Sequence, residues 1–243
     1  MKFSDVKEIE SFYDAKKKKS SVIITVLIRW FLWLIVTITL ICLILKLKAQ
    51  NYDILIKNQV YQSYFSNSLH VPVVVEYKLY HAGGNCSRAG YSFKNDKKNL
   101  ITASKKDYLH SGYDEGHLCP AADFAFNCTY DEMTFRFYNC VPQTPNLNRD
   151  IWLSYEKVER AISQSDSILV VNICTFSNRT IGSNIAVPDY CIKFIFSLSS
   201  HKNLLSVVCK NSPMASSQRL PVNQIEKNYK INLSSFLPFQ ISQ

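Results

Sequence analysis

The chain is poor in the residues that break or loosen structure, with six glycines and eight prolines among 243 residues. That supply is too small for a collagen-like chain or a Gly/Pro-rich disordered one, and 14 Phe with 14 Tyr provide the aromatic surface of a folded core. No Cys-x-x-Cys pair occurs, and His117 to Cys119 is the only close His/Cys spacing, so a structural zinc site lacks its usual ligand pattern. There is no internal repeat, which excludes solenoids and propellers. The length allows one ordinary domain plus an appendage and makes two large domains improbable.

Acidic residues are also short, with 19 Asp and Glu against 28 Lys and Arg. The imbalance is uneven: residues 1–49 hold nine of the basic and four of the acidic residues, leaving nineteen against fifteen, or +4, for residues 50–243. A +4 balance suits a polyanionic partner without requiring one.

Charge is almost absent from Val22 to Leu45 (VIITVLIRWFLWLIVTITLICLIL). At about 1.5 Å per residue a helix of that length crosses a hydrocarbon core of roughly 30 Å. The sequence therefore predicts a transmembrane helix over residues 22–45, with Arg29 snorkelling toward the Lys16–Lys19 run. The apolar run is longer than that of a cleaved signal peptide and is followed by Lys46-Leu47-Lys48-Ala49, so it reads as an uncleaved anchor. Lysines outnumber on the amino side, which places residues 1–21 in the cytoplasm and the rest outside it, whether periplasmic, luminal or extracellular.

Of eight cysteines, Cys42 lies in this run, and the other seven lie beyond it, where an oxidising compartment permits disulfides of undetermined connectivity. Four Asn-x-Ser/Thr sequons, at Asn85, Asn127, Asn178 and Asn232, are glycosylation acceptors only in a eukaryotic host.

Residues 46–70 are polar with scattered aromatics and read as a stalk, which leaves residues 71–243 for the domain. Val71–Tyr80, Ser167–Phe176, Tyr190–Leu198 and Leu204–Lys210 are rich in β-branched and aromatic residues at strand lengths, predicting a mostly antiparallel sheet. A helix is predicted from about Pro145 to Ser163, where Leu147, Ile151, Tyr155, Val158 and Ile162 form an apolar stripe, and a shorter one over Val222–Tyr229. The fold class is α+β.

The chemistry concentrates in Tyr113-Asp114-Glu115-Gly116-His117-Leu118-Cys119-Pro120 and, about twenty residues on, in Asn139-Cys140-Val141-Pro142-Gln143 and the helix carrying Asn148, Trp152 and Glu156. Residues four apart drift by only about 40° on a helix, so an amide oxygen and a carboxylate share one face. With an imidazole nearby, they could hold a hydrated divalent cation and activate a water, or they could be a solvated polar face.

These segments resemble the DNA/RNA non-specific endonuclease family of the ββα-metal (His-Me finger) group, endonuclease G among them. That family carries D-R-G-H followed by Pro, an N-x-x-P-Q segment, and an L-N-x-x-x-W helix ending in Glu. The resemblance covers about residues 71–239 and implies a ββα-metal nuclease fold, with a central, mostly antiparallel sheet flanked by helices.

Carried over by position, the resemblance implies His117 as general base, Asn148 as the direct protein ligand of one Mg²⁺ (Mn²⁺ as an alternative), and Glu156 as holder of the metal's waters. It implies that Asn139 positions the histidine or the phosphate, that Arg88 steadies the transition state, and that Asp114 orients its neighbours. Arg136 and Arg149 are further candidates for phosphate contact. The expected substrates are DNA and RNA, and the oligomeric state is left open, a homodimer being one candidate.

One position departs from the family: its D-R-G-H arginine is here Glu115, an anion where a phosphate would be bound. Either Glu115 is peripheral, or the chain is a catalytically degenerate module that binds nucleic acid or a protein partner.

Overall fold

Runs of Val, Ile and Phe at nearly every position favour strands buried on both faces. In the computed structural model, which describes residues 29–37 and 52–241, these runs form β3 (Val71–Leu79), β6 (Ile168–Ile181), β7 (Ile185–Ser197) and β8 (Asn203–Lys210). With β1 (Ile54–Lys57), β2 (Tyr61–Ser66) and β9 (Ser216–Arg219) they make a seven-stranded antiparallel sheet in the order β1-β2-β3-β6-β7-β8-β9. A separate ribbon pairs β4 (Asp114–His117) with β5 (Cys140–Gln143). Helix α1 spans residues 29–37 and is followed along the chain by α2 (Lys105–Tyr108), α3 (Cys128–Met133), α4 (Leu153–Ile162) and α5 (Val222–Tyr229).

The two faces of the sheet have separate cores, because successive strand residues point to opposite sides. Ile168, Val170 and Cys174 of β6 join Leu118, Val141, Leu147 and Trp152, which places the ribbon and α4 over this face. Leu169, Val171 and Ile173 point the other way and pack with Phe194, Phe196, Ile225 of α5, Leu233 and Phe236. Each such aromatic or aliphatic side chain contributes about 1.5–3 kcal/mol by leaving water.

Two expectations need correction, and a third lies mostly outside the described residues. The stalk expected over residues 46–70 is domain from β1 onward: Tyr61, Phe65 and other residues of the β1–β2 hairpin are buried, and β2 pairs with β3. Its short strands hid it, since four and six residues with interspersed Gln, Ser and Asn carry little alternation. The helix expected over Pro145–Ser163 is not uniform, because Leu147–Trp152 winds as a π-helix before α4. The transmembrane helix expected over residues 22–45 falls mostly outside the described residues; residues 29–37 are helical, and among the described residues no helix is long and apolar enough to cross a membrane.

Candidate active site

The ribbon and the helix after it form a ββα unit, and Gly116 allows its close packing. A Cβ at Gly116 would run into the buried side chain of Gln143 on β5, so any larger residue would have to displace that side chain. His117, at the end of β4, stands opposite Cys140.

The backbone from His117 to Cys119 is held by three side chains from three different elements. Trp152 Nε1 donates to His117 O (3.1 Å), Asn172 Nδ2 of β6 donates to Leu118 O (2.7 Å), and Asn139 Nδ2 donates to Cys119 O (2.8 Å). Asn139 Oδ1 also accepts from Cys119 N at 2.8 Å. Each bond adds about 0.5–1.5 kcal/mol net, and their larger effect is on geometry, since a buried group left unpaired costs about 1–3 kcal/mol.

A cleft of about 440 Å³ opens beside this strand end, lined by Arg88, His117, Asn148, Arg149, Glu156 and Arg160 with Pro120, Ala121, Ala122 and Leu153. Asn148 sits on the π-turn, a helical irregularity common at functional sites. Trp152 is fully buried in the core, while Asn148 and Glu156 both reach the cleft.

Asp114 organises the near wall. It accepts from Asn148 Nδ2 at 3.0 Å and pairs with both Nε (2.8 Å) and Nη2 (2.6 Å) of Arg149. A carboxylate accepts only, so the Asn148 amide nitrogen faces it and its carbonyl oxygen is left without a hydrogen bond among the described residues. Burial raises the Asp114 pKa, but hydrogen bonds from Arg149 and Asn148 outweigh it and hold the carboxyl below its usual range.

His117 packs against the rings of Phe93 (4.4 Å) and Phe135 (4.7 Å). Its Nε2 is buried and meets no hydrogen-bond partner. Burial first, and the positive charge of Arg88 second, push its pKa down to about 3, so the imidazole is neutral at pH 7. Burial and then Glu159 push Glu156 up to about 7, against the pull of Lys193, Arg160 and Arg88. Of the three cleft arginines, Arg149 pairs with Asp114 and Arg160 with the buried Asp123, whereas Arg88 has no ion pair or hydrogen-bond partner for its side chain among the described residues.

The cleft thus gathers Arg88, His117, Asn148, Arg149 and Glu156 of the expected residues, but not the other three. Asn139 is fully buried, and its amide is consumed by Cys119 and Thr134, which leaves it holding the histidine strand and off the phosphate. Arg136 is turned inward, bonding Asp96 Oδ2 through Nε (2.8 Å) and the carbonyls of Glu132 and Phe135 through Nη1, and does not line the cleft. Glu115 stands opposite Pro142 and does not line the cleft; burial raises its pKa, and Lys105 opposes the rise.

The sequence reading missed the polar layer beneath the cleft. Lys193 of β7 and Glu159 of α4 are fully buried and paired, with Tyr77 OH donating to Glu159 Oε1 at 2.8 Å and Lys193 Nζ 4.5 Å above the Trp152 ring. A single Lys in Cys191-Ile192-Lys193-Phe194-Ile195 and a single Asn in Val170-Val171-Asn172-Ile173 were the available signals, since a charge or amide inside a buried strand must have a partner.

A model of DNA/RNA non-specific endonucleases matches residues 43–238. The chain belongs to that family. The match begins ahead of β1, in agreement with the β1–β2 hairpin being part of the domain. Among individual relatives, a nuclease of Nostoc sp. is 30% identical over 173 residues, covering 69% of this chain and 62% of the relative. Human mitochondrial endonuclease G is 30% identical over 148 residues, covering 51% of this chain and 49% of the relative. The chain therefore spans between about half and just under two thirds of the length of these relatives. The solved structure of an EndoG/EndoGI complex, which concerns EndoG inhibition, superposes with a TM-score of 0.66 at 21% identity, over 76% of this chain and 87% of that one, a likeness of fold.

Proposed function

We propose that this chain is a membrane-anchored, divalent-metal-dependent endonuclease that hydrolyses the phosphodiester bonds of DNA and RNA with little sequence preference. The observation that carries the reading is the cleft itself, which gathers a neutral imidazole, an amide oxygen free of hydrogen bonds, a largely buried carboxyl and an unpaired guanidinium. Membership of the family supports it.

The donor set fits a hard, largely hydrated cation, Mg²⁺ with Mn²⁺ as an alternative. Asn148 would be its one direct protein ligand, and Glu156 would hold waters around it. Among the described residues no three His, Cys, Asp or Glu side chains cluster to hold a metal, which agrees with so sparse a set. When bound, the cation supplies charge neutralisation at the phosphoryl and leaving oxygens. His117 accepts the proton of the attacking water, and Arg88 faces the negative charge that in-line attack builds on the phosphate. Contacts confined to phosphate and sugar carry no base information, which gives weak preference and use of both nucleic acids.

The amino-terminal segment would anchor the chain with its N-terminus in the cytoplasm and the nuclease domain on the other side. The Cys86–Cys128 disulfide supports that orientation, since such bonds persist in oxidising compartments.

The test is cleavage of plasmid DNA and of RNA by the detergent-solubilised chain with Mg²⁺, with EDTA, and as His117→Ala. Metal-dependent cutting that His117→Ala loses is expected. Salt-sensitive binding without cutting would replace the reading with a degenerate binding module, and cutting that appeared only in Glu115→Arg would place the defect at that position. Light scattering on the same preparation distinguishes a monomer from a homodimer.

A further inference from the structure

Arg88 is the cleft's unpaired cation, yet neither helix nor strand carries it. Between the end of β3 at Leu79 and the start of α2 at Lys105, the chain forms no regular element beyond one isolated bridge from Lys94 to Arg136. The first part of this loop lies along residues 123–125, with Gly83 N donating to Asp123 O (3.0 Å) and Cys86 N to Ala125 O (3.1 Å). The fit is tight, since a Cβ at Gly84 would lie 2.1 Å from the Ala125 carbonyl carbon. The far part is held by the Lys94–Glu132 and Arg136–Asp96 pairs. Between these anchors the loop is tied to the rest of the protein by the Cys86–Cys128 disulfide, two residues from Arg88, by Tyr91 OH on Cys128 O at 3.3 Å, and, farther from Arg88, by the rings of Tyr91 and the buried Phe93 packed on Phe135 and His117. The covalent tie and the hydrogen bond both end on Cys128, the first residue of α3, and the disulfide is the tie nearest Arg88.

We propose that the Cys86–Cys128 disulfide is the device that positions Arg88 in the cleft, so that the oxidised chain is the competent nuclease and the reduced chain a weak one. The inference rests on the functional reading above. A dithiol breaks the Cys86–Cys128 bond by giving up two electrons and two protons: it closes to its own cyclic disulfide, and the two cysteines leave as thiols. Cys128 is exposed and Cys86 half-exposed, within reach of a reductant, whereas Cys119, Cys140, Cys174, Cys191 and Cys209 are buried thiols. On the reducing side of a membrane the chain would spare nucleic acid, and the compartment that forms the bond would switch it on.

The experiment measures kcat and KM for plasmid cleavage by the full chain in detergent with Mg²⁺, with and without dithiothreitol. Parent, Arg88→Ala, and the double variant Cys86→Ser/Cys128→Ser are compared. Reduction should lower the parent's kcat roughly tenfold or more, to the level of Arg88→Ala. It should leave Arg88→Ala and the double variant unchanged, with the double variant as slow as the reduced parent. An unaffected parent, or equal slowing of parent and Arg88→Ala, overturns the proposal, the second outcome making the bond a general brace. Should the oxidised parent not cut at all, the functional reading fails, and anisotropy of a fluorescein-labelled duplex then decides this one. Reduction must weaken binding by the parent and not by Arg88→Ala; any other result overturns it.

Discussion

On one face of the seven-stranded sheet, Leu169, Val171, Ile173, Phe194 and Phe196 pack against Ile225, Leu233 and Phe236. On the other face the same two central strands present Asn172 and Lys193, one bonded to Leu118 O and the other to Glu159 beneath the cleft. Hydrocarbon packing is non-directional and scales with area. A buried ion pair is the reverse: its net gain is small or negative, but removing one partner is severe and its geometry is fixed. The apolar face therefore contributes stability, while the polar face fixes the position of His117 and of the helix that carries Glu156.

The largest effect should come from His117→Ala, which is expected to lower the cleavage rate by about 10²–10⁴-fold with a far smaller effect on thermal unfolding, because the ring's contacts with Phe93 and Phe135 are lost but no hydrogen bond of Nε2 is. Comparable losses of rate and stability together would erase the distinction between site and scaffold. Next, Lys193→Met leaves the buried Glu159 carboxylate uncompensated and should cost about 3–5 kcal/mol in denaturant unfolding, much of it recovered by adding Glu159→Gln.

On the opposite face, Ile173→Ala should cost about 2–5 kcal/mol through lost burial and a cavity, toward the lower end if the neighbours collapse inward. Cleavage per folded molecule should be unchanged, and a slower rate there would show that the apolar face also sets the site's geometry.

The smallest effect tests a point away from both faces. Burial raises the Asp107 pKa, but hydrogen bonds from Ser104 and Ser183 outweigh it and lower the value. A folded-state pKa below the unfolded one means that this contribution is present above about pH 3.9 and fades as the pH falls through the folded value. Asp107→Asn should remove about 1 kcal/mol at neutral pH, with the gap between variant and parent closing in acid melts.

Much of the site was legible before folding. His117, Asn148 and Glu156 stand at motif spacings, and Arg88 was read from its neighbourhood. Asn139, read as positioning either the histidine or the phosphate, bonds the backbone beside the histidine, while Arg136 looked like a phosphate contact because a guanidinium near a phosphate motif suits that role, and in the fold Asp96 and backbone carbonyls hold it. Glu115 looked like a defect because one-dimensional spacing does not show which ribbon residue faces the cleft. The β1–β2 hairpin was lost in a polar stretch, since its burial depends on β3 beside it.

The sequence by itself determined the long strands, the apolar stripe of α4, the family and most of the polar residues that line the cleft, because periodicity and motif spacing are local and survive in one dimension. Only the tertiary structure decided which arginine stays unpaired, which of seven cysteines beyond Cys42 bond, and how Lys193 and Glu159 find each other across 34 residues. Those outcomes depend on distance and dielectric between segments remote in sequence, and neither exists until the chain has closed around them.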